Sequence, residues 1–274
     1  MSRQPGSSLL QVAVTVIGTA AALAANAAGA AQASCCPVVE LRQYTLKPDR
    51  FEPFNALFER EFIESQEAVG ATVIAQFHDL DDSGRFVWLR GFSDMARRRE
   101  MLEAFYGGAL WKSLRDEANA NFIDTDNVLL LRLPYAADGF RLDGRERAAL
   151  GTAPSPAGYF TATIYAVNKD DAATFAAWFA QAARPVLVQA GVTPIAAFET
   201  NPAVNDFPRL PVREGETVFV WFARFADRAH GDEAARKVAA SPAWRESVAP
   251  ELAKRLSAQP QVLRLEPTPR SLLR

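Results

Sequence analysis

An internal repeat constrains the fold of this chain more than any other feature. The segment FVWLRGFSDMARRRE begins at Phe86 and recurs as FVWFARFADRAHGDE from Phe219. Trp111 and Trp244 follow these two segments at the same spacing, and VGATVIAQF and AGVTPIAAF precede them. Self-similarity over such a long period indicates duplicated structural units. We therefore predict that the chain contains two tandem copies of one unit.

The repeat divides the chain into four parts. We predict a leader at residues 1–33, a first unit at 38–134, a linker at 135–158 and a second unit at 159–267. The linker is rich in Ala, Gly, Pro and charged residues, which is typical of a connection between folded units. The second unit also contains a longer, proline-containing loop at residues 201–216, which we expect to lie on the surface.

Each unit shows the same order of predicted elements. Alternating polarity predicts the strands, and apolar residues at helical spacing predict the helices. In the first unit these are strand 38–46, helix 48–69, strands 72–78 and 86–92, a helix capped by Ser93 or Asp94, and strand 128–133.

The order β-α-β-β-α-β is the ferredoxin-like pattern. Such a sheet carries helices on one face, so its other face must be covered by a second sheet. We therefore predict an α+β fold in which two tandem ferredoxin-like units form an intrachain dimeric α+β barrel. A ligand cavity would lie between the inward faces of the sheets.

The first predicted strand carries a family resemblance. Residues 40–48 read ELRQYTLKP, which resembles the opening of a NIPSNAP domain, where the first strand reads approximately E-L-R-x-Y-x-L-K-P. The strand before the second helix, the arginines of that helix and Trp111 are also similar to this family. The second copy matches more weakly, because Thr161 and Thr163 replace the Glu and the Arg. The resemblance implies the dimeric α+β barrel fold but no defined activity.

The N-terminal residues differ in composition from the rest of the chain. Arg3 is the one charged residue before Glu40, and residues 9–31 are apolar and rich in alanine. The sequence AQA then forms an A-x-A site, which predicts a signal peptide cleaved before Ser34 and export to the periplasm or medium. An uncleaved membrane anchor is the alternative.

Cys35 and Cys36 are the two cysteines of the chain. Adjacent cysteines seldom bridge to each other, because the geometry is strained. We therefore expect free thiols or an intermolecular disulfide, with lipidation as the alternative. The folded units then lack a thiolate metal site and a cysteine nucleophile.

Charge and motifs exclude several classes of function. The net charge is −2, so the chain lacks the basic character typical of nucleic-acid binding. No nucleotide-binding, serine-hydrolase or zinc-protease motif is present. We expect no metal, no cofactor, no nucleic-acid partner and no stable membrane insertion after cleavage; a small-molecule ligand and a homodimer remain open.

The first strand supplies the main candidate site. Glu40, Arg42 and Tyr44 are two residues apart, so they share one face of the strand. We predict that this face lines the barrel cavity, where Arg42 holds an anionic or carbonyl ligand and Glu40 or Tyr44 transfers a proton. The alternative is structural: a Glu40–Arg42 ion pair that orders the sheet or faces water.

Three more residues join the candidates. His78 ends the second strand and is a candidate base; an ordinary edge histidine is the main alternative, and axial haem ligation is a further one. Arg98 matches the helix arginine of the family and would reach the groove between the units, unless it lies on a solvated helix face. Trp88 packs in the core or provides a stacking platform for an aromatic ligand. His230 is interpreted as a surface residue.

Three functions are compatible with these residues. The first is an exported protein that binds a small apolar or weakly acidic molecule in the barrel. The second is a cofactor-independent monooxygenase or isomerase that uses Glu40, Arg42, Tyr44 and His78. The third is an interaction scaffold whose partner surface is the loop at residues 201–216. Because the second copy has lost polar residues, we expect one site, in the first copy.

Overall fold

The fold comes from a computed structural model that describes residues 1–2, 35–153 and 158–274. Residues 3–33 of the predicted signal peptide and its cleavage site before Ser34 lie outside the described residues. Across the described ranges, none of the helices combines the length and the apolar character needed to cross a bilayer.

The two repeats share one series of elements, to which the first repeat adds the short strand at Phe122–Asp124. In the first repeat these are β1 (Val38–Leu46), α1 (Phe51–Leu57), α2 (Ile63–Glu67), β2 (Thr72–Asp79), β3 (Arg85–Phe92), α3 (Met95–Gly107), α4 (Ala109–Asn119), β4 (Phe122–Asp124) and β5 (Val128–Arg132). In the second repeat they are β6 (Tyr159–Ala166), α5 (Ala172–Trp178), α6 (Arg184–Gln189), β7 (Pro194–Thr200), β8 (Val218–Phe225), α7 (Arg228–Ala240), α8 (Ala249–Arg255) and β9 (Gln261–Pro267).

Local irregularities repeat along with the regular elements. A π-helical turn joins α1 to α2 at Phe58–Phe62, and another joins α5 to α6 at Phe179–Ala183. The predicted cap is also confirmed, because Asp94 accepts a hydrogen bond from the backbone N–H of Arg97 at 2.8 Å. Asp227 caps α7 in the same way. The duplication therefore extends to details that composition alone does not fix.

Eight strands form a closed antiparallel barrel. Their order around the barrel is β1-β3-β2-β9-β6-β8-β7-β5, and β5 pairs again with β1. The β2–β9 and β5–β7 pairs join the two repeats. Short β4 pairs with the end of β1. The predicted barrel of two ferredoxin-like units is confirmed.

Apolar side chains from both repeats fill the barrel interior. Val39 and Leu41 of β1 point into it and are fully buried. The connection between the repeats adds Phe140, whose ring lies 5.3 Å from that of Phe198 and 5.1 Å from that of Phe222. The interior is therefore an apolar core, and the helices of each repeat pack on the outer face of that repeat's strands.

The two cysteines pack at one edge of this core. Cys35 and Cys36 form a vicinal disulfide, which differs from the expectation of free thiols or an intermolecular bond. Cys36 packs so closely on Gly91 of β3 that a Cβ atom at this position would overlap it. A glycine is therefore required where the N-terminal segment crosses β3.

Candidate functional site

The polar face of β1 lies beneath the helices of the first repeat. Glu40, Arg42 and Tyr44 share a face as predicted, but Val39 and Leu41 take the face towards the barrel interior. The prediction that the polar face lines the barrel cavity is therefore wrong. A closed barrel interior is dry, so it favours the apolar face, whereas helix side chains can satisfy buried charges on the other face.

Glu40 is the centre of a buried arginine cluster. Its Oε2 accepts hydrogen bonds from Arg42 Nη1 at 2.7 Å and from Arg90 Nε at 2.8 Å. Its Oε1 accepts from Arg98 Nε of α3 at 2.7 Å. All four side chains are fully buried. The Glu40–Arg42 ion pair is thus confirmed, and the alternative of a solvated Arg98 is wrong. We call these four residues the arginine cluster.

The long loop of the second repeat docks on this cluster. Arg98 Nη1 donates to Asp206 Oδ1 at 2.9 Å, and Arg98 Nη2 donates to Asn205 Oδ1 at 3.1 Å. Phe207 is buried beside the ring of Tyr106, with 5.9 Å between the centroids. Much of the loop predicted as a partner surface therefore contacts the first repeat. With Asp206 included, three guanidinium groups face two carboxylates, so the site keeps an excess positive charge.

Two arginine nitrogens of the cluster have no hydrogen-bond partner among the described residues. They are Arg42 Nη2 and Arg90 Nη2, and both are buried. Both amide atoms of Gln76 are equally unpaired, and Gln76 lies beside Trp88 in the next strand. Buried polar groups are nearly always hydrogen-bonded, so unpaired donors at full burial indicate a place for a ligand or ordered water.

A small aromatic cavity lies beside residues that Arg42 and Arg90 contact. Its lining includes Tyr44 and Gln66, and its volume is about 30 Å³, enough for about one or two water molecules. The Tyr44 hydroxyl accepts from Arg42 Nε at 2.9 Å, and Gln66 Oε1 accepts from Arg90 Nη1 at 2.9 Å. Both guanidinium groups also lie over the ring of Trp88, at 5.6 and 5.2 Å from its centroid. The two arginines thus contact three residues of the cavity lining, Tyr44, Gln66 and Trp88, and aromatic rings form most of the rest of that lining.

Electrostatics fix the protonation states at this site. Burial opposes ionisation of Glu40, but Arg90, Arg42 and Arg98 outweigh it and hold the pKa of Glu40 well below its ordinary value. Burial raises the pKa of Tyr44, against the opposing effect of Arg42. At neutral pH Glu40 is therefore a carboxylate, and Tyr44 is a phenol that retains its proton.

The depressed pKa of Glu40 predicts a specific loss of stability in acid. A carboxyl group whose folded-state pKa lies below its unfolded-state value stabilises the fold above the unfolded value, and this contribution disappears as the pH falls towards the folded value. We expect the free energy of unfolding to fall below about pH 4.3. Urea titrations between pH 7 and pH 3 measure this. The difference between the wild type and Glu40→Gln should narrow below pH 4.3; a constant difference would contradict the prediction.

The second repeat provides an internal comparison for the cluster. The second repeat has small, apolar or uncharged residues at the positions of the cluster and its neighbours. Thr161 and Thr163 replace Glu40 and Arg42, and Ala223 and Gly231 replace Arg90 and Arg98. Leu187 and Ala197 replace Gln66 and Gln76. Tyr165 and Trp221 keep the aromatic positions, and burial raises the pKa of Tyr165 to about 12. Because the second repeat forms the same elements without these charges, the fold itself does not require the arginine cluster.

The other residues considered in the sequence analysis, His78, Trp88 and His230, lie outside the arginine cluster. The ring of His78 packs against that of Phe51 in a tilted arrangement with 4.4 Å between the centroids, and it has no hydrogen bond to the arginine cluster in the described part of the chain. Trp88 is buried in the core as well as lining the cavity. His230 is exposed, as expected. Sequence reasoning missed Arg90, Gln66, Gln76 and Asp206.

Comparison with known proteins supports the fold and identifies one domain. The sequence profile of the NIPSNAP family matches residues 39–136, so this part of the chain is a NIPSNAP domain. No curated protein matches the chain.

Three solved structures illustrate the similarity. A protein described as a monooxygenase from Fusobacterium nucleatum has a TM-score of 0.53 at 9% identity, over 85% of this chain and 92% of its own. An anthrone oxidase-like protein has a TM-score of 0.50 at 14% identity, over 84% and 91%. A NIPSNAP-like domain protein from Burkholderia xenovorans is 26% identical over 36% of this chain and 85% of its own, with a TM-score of 0.33. The first two support the barrel fold.

Proposed function

We propose that the NIPSNAP domain at residues 39–136 binds a small carboxylate or similar oxyanion beneath its helices, at the arginine cluster. The observation that carries the proposal is the pair of unpaired, fully buried donors, Arg42 Nη2 and Arg90 Nη2. An anion would accept from both and would balance the excess positive charge. The site lies outside the barrel interior, among residues of the first repeat that the loop at residues 201–216 covers.

The surroundings of the donors define the ligand further. The cavity beside them is lined by aromatic rings, so it favours a short apolar group attached to the anionic head. Its volume of about 30 Å³ limits that apolar group to about two heavy atoms. The protonated Tyr44 can donate a hydrogen bond to the oxyanion while it accepts one from Arg42. A short-chain carboxylate combines these properties.

The loop at residues 201–216 completes the site from the second repeat. Asp206 and Asn205 hold Arg98, and Arg98 in turn holds Glu40. Phe207 covers Tyr106, which also lines the cavity. Docking of this loop keeps water away from the cluster, and a drier environment strengthens the attraction between an anion and the arginines.

Isothermal titration with propionate tests the proposal, with propionamide as the uncharged control. We expect propionate to bind with one site per chain and propionamide not to bind. In Arg90→Lys the side chain can still pair with Glu40, but Nη2 is lost, so we expect roughly tenfold weaker binding or more. Arg97→Lys, at an exposed position next to Arg98 in the chain, should bind as the wild type does. Equal affinity in the wild type and Arg90→Lys would refute the assignment.

A further inference from the structure

A second groove lies at the seam where β2 of the first repeat pairs with β9 of the second. His78 and Glu266 face each other across this pair. Helix α1 forms the opposite wall with Phe51, Glu52 and Asn55, and the π-helical turn adds Glu59. The groove encloses about 400 Å³. We call it the acidic groove; it is separate from the arginine cluster.

The carboxylates of this groove lack cationic partners. Among the described residues, Glu52, Glu59 and Glu266 form no ion pair, and Glu59 is buried. Glu59 Oε1 accepts a backbone N–H of Arg270 at 3.3 Å. Arg274 is the cationic residue of the lining, and its guanidinium donates to the backbone carbonyls of Pro269 and Glu146. The groove therefore carries an excess of negative charge.

Two buried polar atoms provide independent evidence for a ligand. Asn55 Oδ1 and Thr268 Oγ1 have no hydrogen-bond partner in the described structure, and these residues are 7% and 5% exposed. Both residues line the acidic groove. An unpaired amide oxygen and an unpaired hydroxyl beside carboxylates that form no ion pair in the described part of the chain favour a hydrogen-bond donor that carries positive charge.

An equivalent groove at the opposite seam of the barrel lacks the unpaired acidic and polar groups among the residues that the structure describes. There β7 pairs with β5, and Glu199 lies where the first repeat has His78. Arg132 neutralises Glu199 at 2.7 Å. On α5, Ala172, Ala173 and Ala176 replace Phe51, Glu52 and Asn55. The fold thus tolerates an apolar, neutralised groove at the equivalent place, so architecture does not explain the acidic residues.

We propose that the acidic groove binds a small organic cation with a primary ammonium group. An ammonium group offers three donors, which match the acceptors of Asn55, Glu59 and Thr268. The exposed carboxylates of Glu52 and Glu266 add attraction at the entrance. The ring of Phe51 provides an aromatic surface for the alkyl chain or the cation.

Titration of the full chain with n-butylammonium tests this site, with n-butanol as the uncharged probe of the same length. We expect one ammonium to bind per chain, with affinity that falls as the salt concentration rises, and no binding of the alcohol. Glu59→Gln and Asn55→Ala should each weaken binding by about tenfold. Asn55→Ala copies Ala176 of the opposite groove, so it should fold normally.

Further variants distinguish the acidic groove from the opposite groove and from the arginine cluster. Glu52→Ala copies Ala173 and should weaken binding by a smaller factor, whereas Glu199→Gln in the opposite groove should leave it unchanged. Arg90→Lys should also leave it unchanged, so failure of the anion site and of this site can be told apart. The proposal is overturned if n-butanol binds as well as the ammonium, if no binding occurs, or if Glu59→Gln, Asn55→Ala and Glu52→Ala all bind as the wild type does.

Discussion

Replacing Glu40 by glutamine is expected to lower the free energy of unfolding by about 3–5 kcal/mol. The carboxylate balances Arg42, Arg90 and Arg98 at full burial, and Asp206 reaches Arg98 alone. Removing the charge therefore leaves the guanidinium groups of Arg42 and Arg90 in a dry environment with no adjacent anion. The cost of an uncompensated buried charge greatly exceeds the net contribution of an intact pair. Urea denaturation at pH 7 measures the change.

Glu61→Gln provides the matched control for this prediction. Glu61 also pairs with an arginine, Arg60, but both side chains are partly exposed to solvent. Surface pairs of this kind contribute about 0–1 kcal/mol. If the two variants unfold at similar urea concentrations, the cluster is not the electrostatic centre that its geometry indicates.

The repeat made the fold predictable from sequence. Two matching series of strands and helices leave each four-stranded sheet with one uncovered face, and the second copy is the nearest cover. The predicted barrel follows from that requirement. Residues outside the repeat pattern were harder to predict. Phe140 lies in the connection between the repeats, where nothing in the sequence indicates that its ring enters the barrel.

The site was predictable only in part. Alternation along a strand shows which residues share a face, but it does not show whether that face points into the barrel or towards the helices. Alternation placed Glu40, Arg42 and Tyr44 together, but both faces of β1 are buried in this fold. A cavity-lining face and a helix-covered face therefore give the same pattern. Orientation depends on which environment can satisfy the charges, and this required Arg98 and Gln66 from the helices.

Three of the four residues missed by sequence reasoning share one detectable signal. Arg90, Gln66 and Gln76 are each replaced by an apolar residue at the equivalent position of the second copy, as Glu40 and Arg42 are replaced by threonine. Polar residues that disappear together between copies indicate a shared site better than their spacing along one strand does. Asp206 has no such signal, because its loop is present in the second copy alone.

Replacing the whole cluster is expected to separate binding from stability. We propose the variant Glu40→Met, Arg42→Met, Arg90→Met, Arg98→Met and Asp206→Asn, which removes every charge of the cluster and fills similar volume. Concerted replacement of buried ion pairs by apolar residues is often neutral or stabilising. We therefore expect this variant to unfold at a higher urea concentration than Glu40→Gln, although it carries four more substitutions.

The same five-substitution variant should keep its stability but lose propionate binding. Loss of both arginine donors removes the charge-assisted hydrogen bonds on which the proposed affinity depends, so we expect binding at least about a hundredfold weaker than in the wild type. Calorimetric titration measures it, and binding of n-butylammonium serves as the control for a folded chain. A stable variant that still binds propionate as the wild type does would show that the arginine cluster is not the anion site. A variant less stable than Glu40→Gln would show that the first repeat, unlike the second, depends on its charges to fold.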